Sequence, residues 1–400
     1  MSSRISRSNR DLTLLNKTDY ARDKLFWLVA LQTGVFGIFM GGFGPALPLL
    51  QEDQGTSGAV AGLHGTALGI ASIIAGYLNA PVAHKFGRYK SIWIGLTIFN
   101  IGAMAFIVLP NAWQTIPAIL VSGVGLSMTV NNSMMYLTAH YGENSPRAVS
   151  QANGVNSAFV LIGNFIIGVI AGTQFSWRLG LLICLPFAII LYLTLGRQHN
   201  PEHIPSEEGR QRGSLPGKYW LSWFGMMFCI AAEFAIAFWA AALFREKTGL
   251  SAALSTTLVL AYPFGMMIGR WFGTYLFPDL DIDDRLRLII GLQGVSFMVF
   301  WLSTNPFISF ATLFIVGLGT SMQFALSSLR LLRFGRAKPD LAMGKSSLSA
   351  GVAIALSPLF LGFLADRFGI VQGFLLVPIL VVCAFIIVTL VPSKSEIPEK

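Results

Sequence analysis

Hydrophobic residues come along this chain in blocks of about 20, the length a helix needs to cross a bilayer, and charge gathers in short clusters between them. Twelve blocks can be counted, at about 25–50, 58–83, 91–109, 113–140, 149–173, 177–195, 218–244, 252–277, 286–304, 306–333, 342–365 and 370–391. Gly and Pro recur inside them, 41 and 18 in the whole chain, a frequency that suits packed transmembrane helices and not soluble ones. The pattern predicts an all-α membrane protein of twelve transmembrane helices, not a barrel.

Composition agrees. Of 400 residues 54% are hydrophobic and 12% charged, against about 25% charged in soluble domains. The charges also orient the chain. With the N- and C-termini cytoplasmic, 22 of the 28 Lys and Arg fall on inside segments, the asymmetry expected of membrane helices. The formal +9 is thus a topology signal, and no nucleic-acid partner is implied. The basic N-terminal stretch reads as a tail and not a signal peptide, because the apolar run after it is too long and lacks a cleavage site. Cys184, Cys229 and Cys383 lie in separate spans, a spacing that indicates neither a disulfide frame nor a metal site, and no cofactor is expected.

The chain is written twice. The polar segment 196–217 divides the twelve blocks into six and six, and a shift of 194 residues aligns GVGLSM at 123–128 with GLGTSM at 317–322, Ser133 with Ser327, and Gly168 with Gly362. The expected organisation is a basic tail at 1–24, a six-helix bundle at 25–195, a cytoplasmic linker at 196–217, a second bundle at 218–391 and a tail at 392–400. Two such halves suit a transporter that rocks around a midplane site.

With the repeat in view, the whole chain resembles the major facilitator superfamily. APVAHKFGRYK at 80–90 is similar to that family's cytoplasmic loop signature, with Lys85, Gly87 and Lys90 in place, His84 where an Asp is usual and Tyr89 where a base is usual. The resemblance implies gating roles for His84, Lys85, Gly87, Arg88 and Lys90. From Glu233 to Gly273 the chain resembles helices 7 and 8 of fucose-type sugar–proton symporters and related bacterial transporters, with Glu233 and the Gly269-Arg270-x-x-Gly273 element at matching positions. Glu233 sits 10 to 14 residues past the aromatic belt of Tyr219, Trp220 and Trp223, hence near midplane. Desolvation there favours the neutral acid, as a proton carrier requires; the alternative is a structural acid paired with Arg270. Arg270 itself is close enough to the cytoplasmic side to snorkel, which points to a structural or gating role.

Helix 4 carries Thr129, Ser133 and Tyr136 at helical spacing with Asn132 beside them, and the shift maps the three onto Gln323, Ser327 and Arg330 of helix 10. By the resemblance, helices 1, 4, 7 and 10 line the cavity. That makes Gln32, Thr129, Asn131, Asn132, Ser133, Tyr136, Trp239, Gln323 and Ser327 candidate substrate ligands, the alternative for each being hydrogen bonding between helices. Trp239 lies about 120° around the helix from Glu233 and borders either a cavity or lipid. Arg330 reads as an interfacial anchor and His64 as a packing residue.

Three motifs are discounted. GKSS at 344–347 lacks the first glycine of a phosphate loop. PDLDIDD at 278–284 lacks the glycine and distal glutamate of a calcium loop and reads as a solvated acidic loop. Gly154 and Gly163 have an antiporter-like spacing, but Asn164 replaces the proline. Neither HExxH nor GxSxG occurs, so a membrane-embedded enzyme is disfavoured. The expected function is a proton-coupled symporter, monomeric, in an inner or plasma membrane, that moves a small polar, sugar-like solute. Proton-antiport efflux of amphipathic compounds is the alternative, followed by a non-transporting sensor.

Overall fold

A computed structural model describes residues 21–196, 213–273, 280–335 and 338–393. The tail before Ala21, the linker over 197–212 and the tail after Ser393 lie outside the described residues, as do Pro278 and Asp279 of the acidic stretch. Among the described residues there is no β-strand. Among the described residues, twelve helical segments are long and apolar enough to cross a membrane. Spans 1 to 6 are Lys24–Phe43, Gly58–Asn79, Arg88–Val108, Ala112–Tyr141, Ala148–Ala171 and Trp177–Gly196. Spans 7 to 12 are Gly217–Thr248, Ala252–Phe272, Ile282–Leu302, Pro306–Phe334, Leu348–Phe368 and Ile370–Leu390. With an even number of such spans, span 1 starts and span 12 ends on one face, here the terminal face; the other is the distal face.

Some blocks are not single helices. The first ends at Phe43, because Gly44 and Pro45 turn the chain before a short helix, Leu47–Gln54, begins with Pro48 in its first turn. Span 8 breaks between Leu258 and Ala261, where Pro263 has no N–H to continue the ladder. Span 10 breaks at Ser321 and Met322, which leaves the Ser321 carbonyl to a side chain described below.

The repeat is visible in the contacts. A Cβ on Gly125 would lie 2.2 Å from the Phe99 nitrogen and 2.4 Å from the Gly95 carbonyl oxygen; one on Gly319 would lie 2.7 Å from the Gln293 nitrogen and 2.9 Å from the Ile289 carbonyl oxygen. Phe99 and Gln293, and Gly95 and Ile289, are related by the same 194-residue shift. Spans 3 and 4 therefore cross as spans 9 and 10 do, backbone against backbone. Across the halves, span 2 meets span 11 at Gly62 and Pro358, and span 5 meets span 8 at Asn164 and Thr256, again pairs that the shift exchanges.

The halves close on each other at the distal face. Phe43 of span 1 meets Phe238 of span 7 edge to face at 5.6 Å, and Arg245 pairs with Glu52 at 2.5 Å. The Asp366 carboxylate, at the end of span 11, accepts hydrogen bonds from the Gly58 and Ala59 N–H groups at 2.7 and 2.8 Å, capping span 2. Toward the terminal face one side of span 2 is open, since a Cβ on Gly76 would meet nothing within 4 Å and Tyr77 is 73% exposed, while its other side stays on span 4, where Asn132 bonds Asn79.

Candidate functional site

Among the described spans, Glu233 is the one charged residue more than five positions from either end. Its carboxylate faces the boundary between the halves. Arg270 of span 8 places Nη2 at 3.6 Å from Glu233 Oε1, while Nη1 donates to Ser157 Oγ of span 5 at 2.9 Å and Nε to the Ser321 carbonyl at the break in span 10 at 3.5 Å. Ser157 belongs to the opposite half. Arg270 thus turns inward to a polar junction of spans 5, 7, 8 and 10, where the sequence suggested that it would snorkel outward.

A second ion pair in the same half differs in kind. Arg330 Nε donates to Asp283 Oδ1 at 2.7 Å, Nη1 to Ser222 Oγ at 3.3 Å and Nη2 to the Val388 and Val391 carbonyls. Asp283 also accepts from the Ser393 N–H and hydroxyl. Both side chains are 3% exposed, against 27% for Arg270 and 17% for Glu233. Arg330 is therefore a buried knot and not the interfacial anchor expected. The stretch read as a solvated acidic loop is likewise structural: Asp283 is buried, and Asp281 caps Ile282–Leu302 and pairs with Arg333 at 3.0 Å.

The candidate substrate ligands divide. Gln32 is fully buried and neither its amide oxygen nor its nitrogen has a partner; the Ser133 hydroxyl and the Gln323 oxygen are also unpartnered. Such groups cost about 1–3 kcal/mol each when left unsatisfied. Ser327 is buried beside Cys229, and Asn131 is half-buried. Others are engaged within their bundles. Thr129 donates to the Gly125 carbonyl at 2.9 Å against span 3, Asn132 bonds Asn79 and the Met128 carbonyl, and the Tyr136 ring lies 6.1 Å from that of Tyr89. Gln323 Nε2 donates to Gln293 at 2.7 Å. Trp239 is buried and its indole N–H donates to the Pro358 carbonyl at 3.0 Å, so it borders neither lipid nor an open cavity.

The loop between spans 2 and 3 turns at Gly87, whose φ of +79° is open to glycine at no steric cost. Arg88 is buried and reaches Asn132 Oδ1 of its own half at 3.4 Å. His84 is half-buried, Lys90 is exposed, and Lys85 lies over the Phe86 ring at 5.3 Å. His64 uses both ring nitrogens, toward the Ala61 carbonyl and the Thr115 hydroxyl, each at 2.9 Å, as a satisfied packing residue does. Ser157, Ser321 and Asp366 were not singled out from the sequence. Each is an ordinary residue whose partner lies on another helix, and only Asp366, a lone acid at a span end, carries a signal at all.

A family model for the Major Facilitator Superfamily matches residues 29–333. The chain belongs to that superfamily. It is a membrane transporter of small molecules and not an enzyme. Among superfamily relatives, an uncharacterized MFS-type transporter, YfkF of Bacillus subtilis, is 23% identical over 317 residues, 75% of this chain and 78% of its own length. Sugar transporter ERD6-like 15 of Arabidopsis thaliana is 26% identical over 178 residues, and the multidrug resistance protein Stp of Mycobacterium tuberculosis 28% over 182. Those two matches span 44% of this chain and only 36% and 33% of the relatives. Solved structures share the fold. A variant of the nucleoside transporter NupG superposes with a TM-score of 0.71 at 14% identity, covering 94% of this chain and 99% of that one. A bacterial homologue of human drug peptide transporters gives 0.73 at 12%, with 94% and 98% covered.

Proposed function

We propose that the chain is a proton-coupled secondary transporter that carries a small polar, sugar-like solute by alternating access, with Glu233 as the proton site. The observation behind this is the contrast between the two ion pairs. Asp283–Arg330 is short, dry and fully bonded, as a structural pair is; Glu233–Arg270 is longer than a hydrogen bond, partly open and placed where the halves meet. A carboxylate that must gain and lose a proton needs a partner that holds it loosely. Contacts between the halves are what such a cycle must break and remake: Phe43–Phe238 and Glu52–Arg245 at the distal face, and Ser150 Oγ donating to the Arg270 carbonyl at 3.3 Å toward the terminal face. The termini lie in the cytoplasm of a plasma or inner membrane. Gln32, Asn131, Ser133, Gln323 and Ser327 supply donors and acceptors suited to a hydroxylated solute, and one relative is named a sugar transporter. The carrier acts as a monomer.

In vesicles, Glu233→Gln should abolish accumulation driven by a pH gradient and spare substrate-for-substrate exchange, since only the first needs a proton gained on one side and released on the other. Retained gradient-driven accumulation would remove Glu233 from the coupling role. Export of amphipathic compounds is the second reading. It draws on an apolar crevice of about 160 Å³ between spans 7, 11 and 12, lined by Met227, Phe228, Leu356 and Phe360.

A further inference from the structure

Counting charge at the junction narrows the solute. Among the described residues Arg270 has one anionic neighbour, Glu233; its other partners, the Ser157 hydroxyl and the Ser321 carbonyl, are neutral. Arg22 lies beyond the junction, over the Trp271 ring and bonded to Gln151, and Arg330, which also faces Cys229, is balanced by Asp283. The remaining ionisable groups that sense the pair are the Cys229 thiol, one turn earlier on span 7, and the Tyr262 phenol, two turns earlier on span 8. Both types are uncharged near neutral pH. With Glu233 ionised, the junction therefore holds one negative and one positive charge and is neutral.

A proton on Glu233 upsets that balance. The guanidinium keeps its charge at any physiological pH and would stand without a counter-ion inside the membrane, an expensive arrangement. A neutral solute would leave the deficit in place. The guanidinium is prepared for a replacement: Nη1 is anchored on the Ser157 hydroxyl at 2.9 Å, Nε reaches the Ser321 carbonyl only at 3.5 Å, and Nη2 stands 3.6 Å from Glu233, longer than a hydrogen bond. Arg330 offers no such opening, since all three of its nitrogens are bonded.

We propose that the solute carries one negative charge, as a small hydroxylated carboxylate does, and that it takes the place of Glu233 as the counter-ion of Arg270 when Glu233 is protonated. This rests on Glu233 being the proton site. The proton passes from water on one side to the Glu233 carboxylate and from there to water on the other. The anion docks on Arg270 Nη2 and leaves with it. Empty and loaded, the junction carries the same net charge of zero. One proton and one monoanion cross together, and the cycle moves no net charge.

The test uses purified protein with gluconate and lactate as anionic probes and glucose and glycerol as neutral ones. Thermal stabilisation by a carboxylate should be about tenfold tighter near pH 5.5 than near pH 8 in the wild type, because protonation of Glu233 and anion binding are linked. In Glu233→Gln it should be tight at both. Arg270→Gln should lose it, with Arg270→Lys as the check that a folded cation-bearing variant retains part. In proteoliposomes carrying a pH dye, the bound carboxylate should draw protons inward at a rate unchanged by a potassium diffusion potential. Stabilisation by the neutral probes alone, by none of the carboxylates, or uptake accelerated by an inside-negative potential would each overturn the anion assignment and leave the proton site standing. Carboxylate-driven proton entry that survives in Glu233→Gln would instead remove the proton site.

Discussion

Asp283 and Arg330 form a buried ion pair in the second half at the positions that Tyr89 and Tyr136 occupy in the first, each residue related to its counterpart by the 194-residue shift. Each pair ties down the end of its half's last span: Tyr89 donates to the Gly196 carbonyl, and Arg330 donates to those of Val388 and Val391. One architectural joint is thus made once with rings and once with charges. Removing one partner of a buried pair costs about 3–5 kcal/mol, because the other charge is left uncompensated. Asp283→Ala should lower the melting temperature severely, and the double variant Asp283→Asn with Arg330→Gln should cost less than the sum of its singles. Additive losses in a thermal-denaturation cycle would show that the two residues act independently.

The glycine contacts make a sharper demand. A methyl group at Gly125 or Gly319 would run into backbone that cannot step aside, at 2.2 and 2.7 Å, whereas at Gly76 it would meet nothing within 4 Å. Gly125→Ala and Gly319→Ala should each destabilise by about 1–3 kcal/mol or more. Gly76→Ala should be neutral or slightly stabilising through helix propensity. Melting curves of the three variants in detergent decide it, and equal losses at all three would contradict the packing.

The distal latch predicts a shift between states. Asp366→Ala removes both hydrogen bonds to the start of span 2, contacts to a charged acceptor worth about 1.5–3 kcal/mol each at most. In a variant lacking the native cysteines, a cysteine at Asn131 should then react faster with an impermeant thiol reagent applied from the distal side. An unchanged rate would mean that Phe43–Phe238 and Glu52–Arg245 hold that face without Asp366.

At the terminal face, Asp281 gives a pH dependence. Partial burial pushes its carboxyl up, but hydrogen bonds from Arg333 and from the Asp283 and Ile282 N–H groups outweigh that and hold it below its ordinary 3.8. A depressed carboxyl contributes stability that is complete above the unfolded value and disappears as pH falls through the folded one. The melting-temperature gap between wild type and Asp281→Asn should therefore be constant above about pH 4 to 5 and close in stronger acid. A gap that widens on acidification would reverse the sign and refute the assignment.

The twelve crossings were legible because a bilayer imposes one length on every span, and the repeat because Gly125 and Gly319 must be glycine for backbones to touch. The breaks were not, since Pro263 and Ser321 sit inside blocks whose length and hydropathy are those of one continuous span. Glu233 announced itself as an acid in an oily stretch, and its pairing with Arg270 was one of two readings open to sequence. What failed was direction around a helix. Trp239, Thr129 and Asn132 share spans with the candidate ligands, but their side chains are claimed by neighbours whose identity depends on packing between distant segments. Arg330 was misjudged for the same reason: nearness to a span end says how far water is, and nothing about whether Asp283 stands in the way.

Backbone touching backbone at Gly125 and Gly319 leaves no compliant layer of side chains within either crossing. Each half is therefore stiff at that crossing, like the riveted joint of a pair of scissors. Between the halves the distal contacts are of two kinds: Gly58 and Gly62 set backbone on Gly362 and Pro358, whereas Phe43–Phe238 and Glu52–Arg245 join through side chains that can let go.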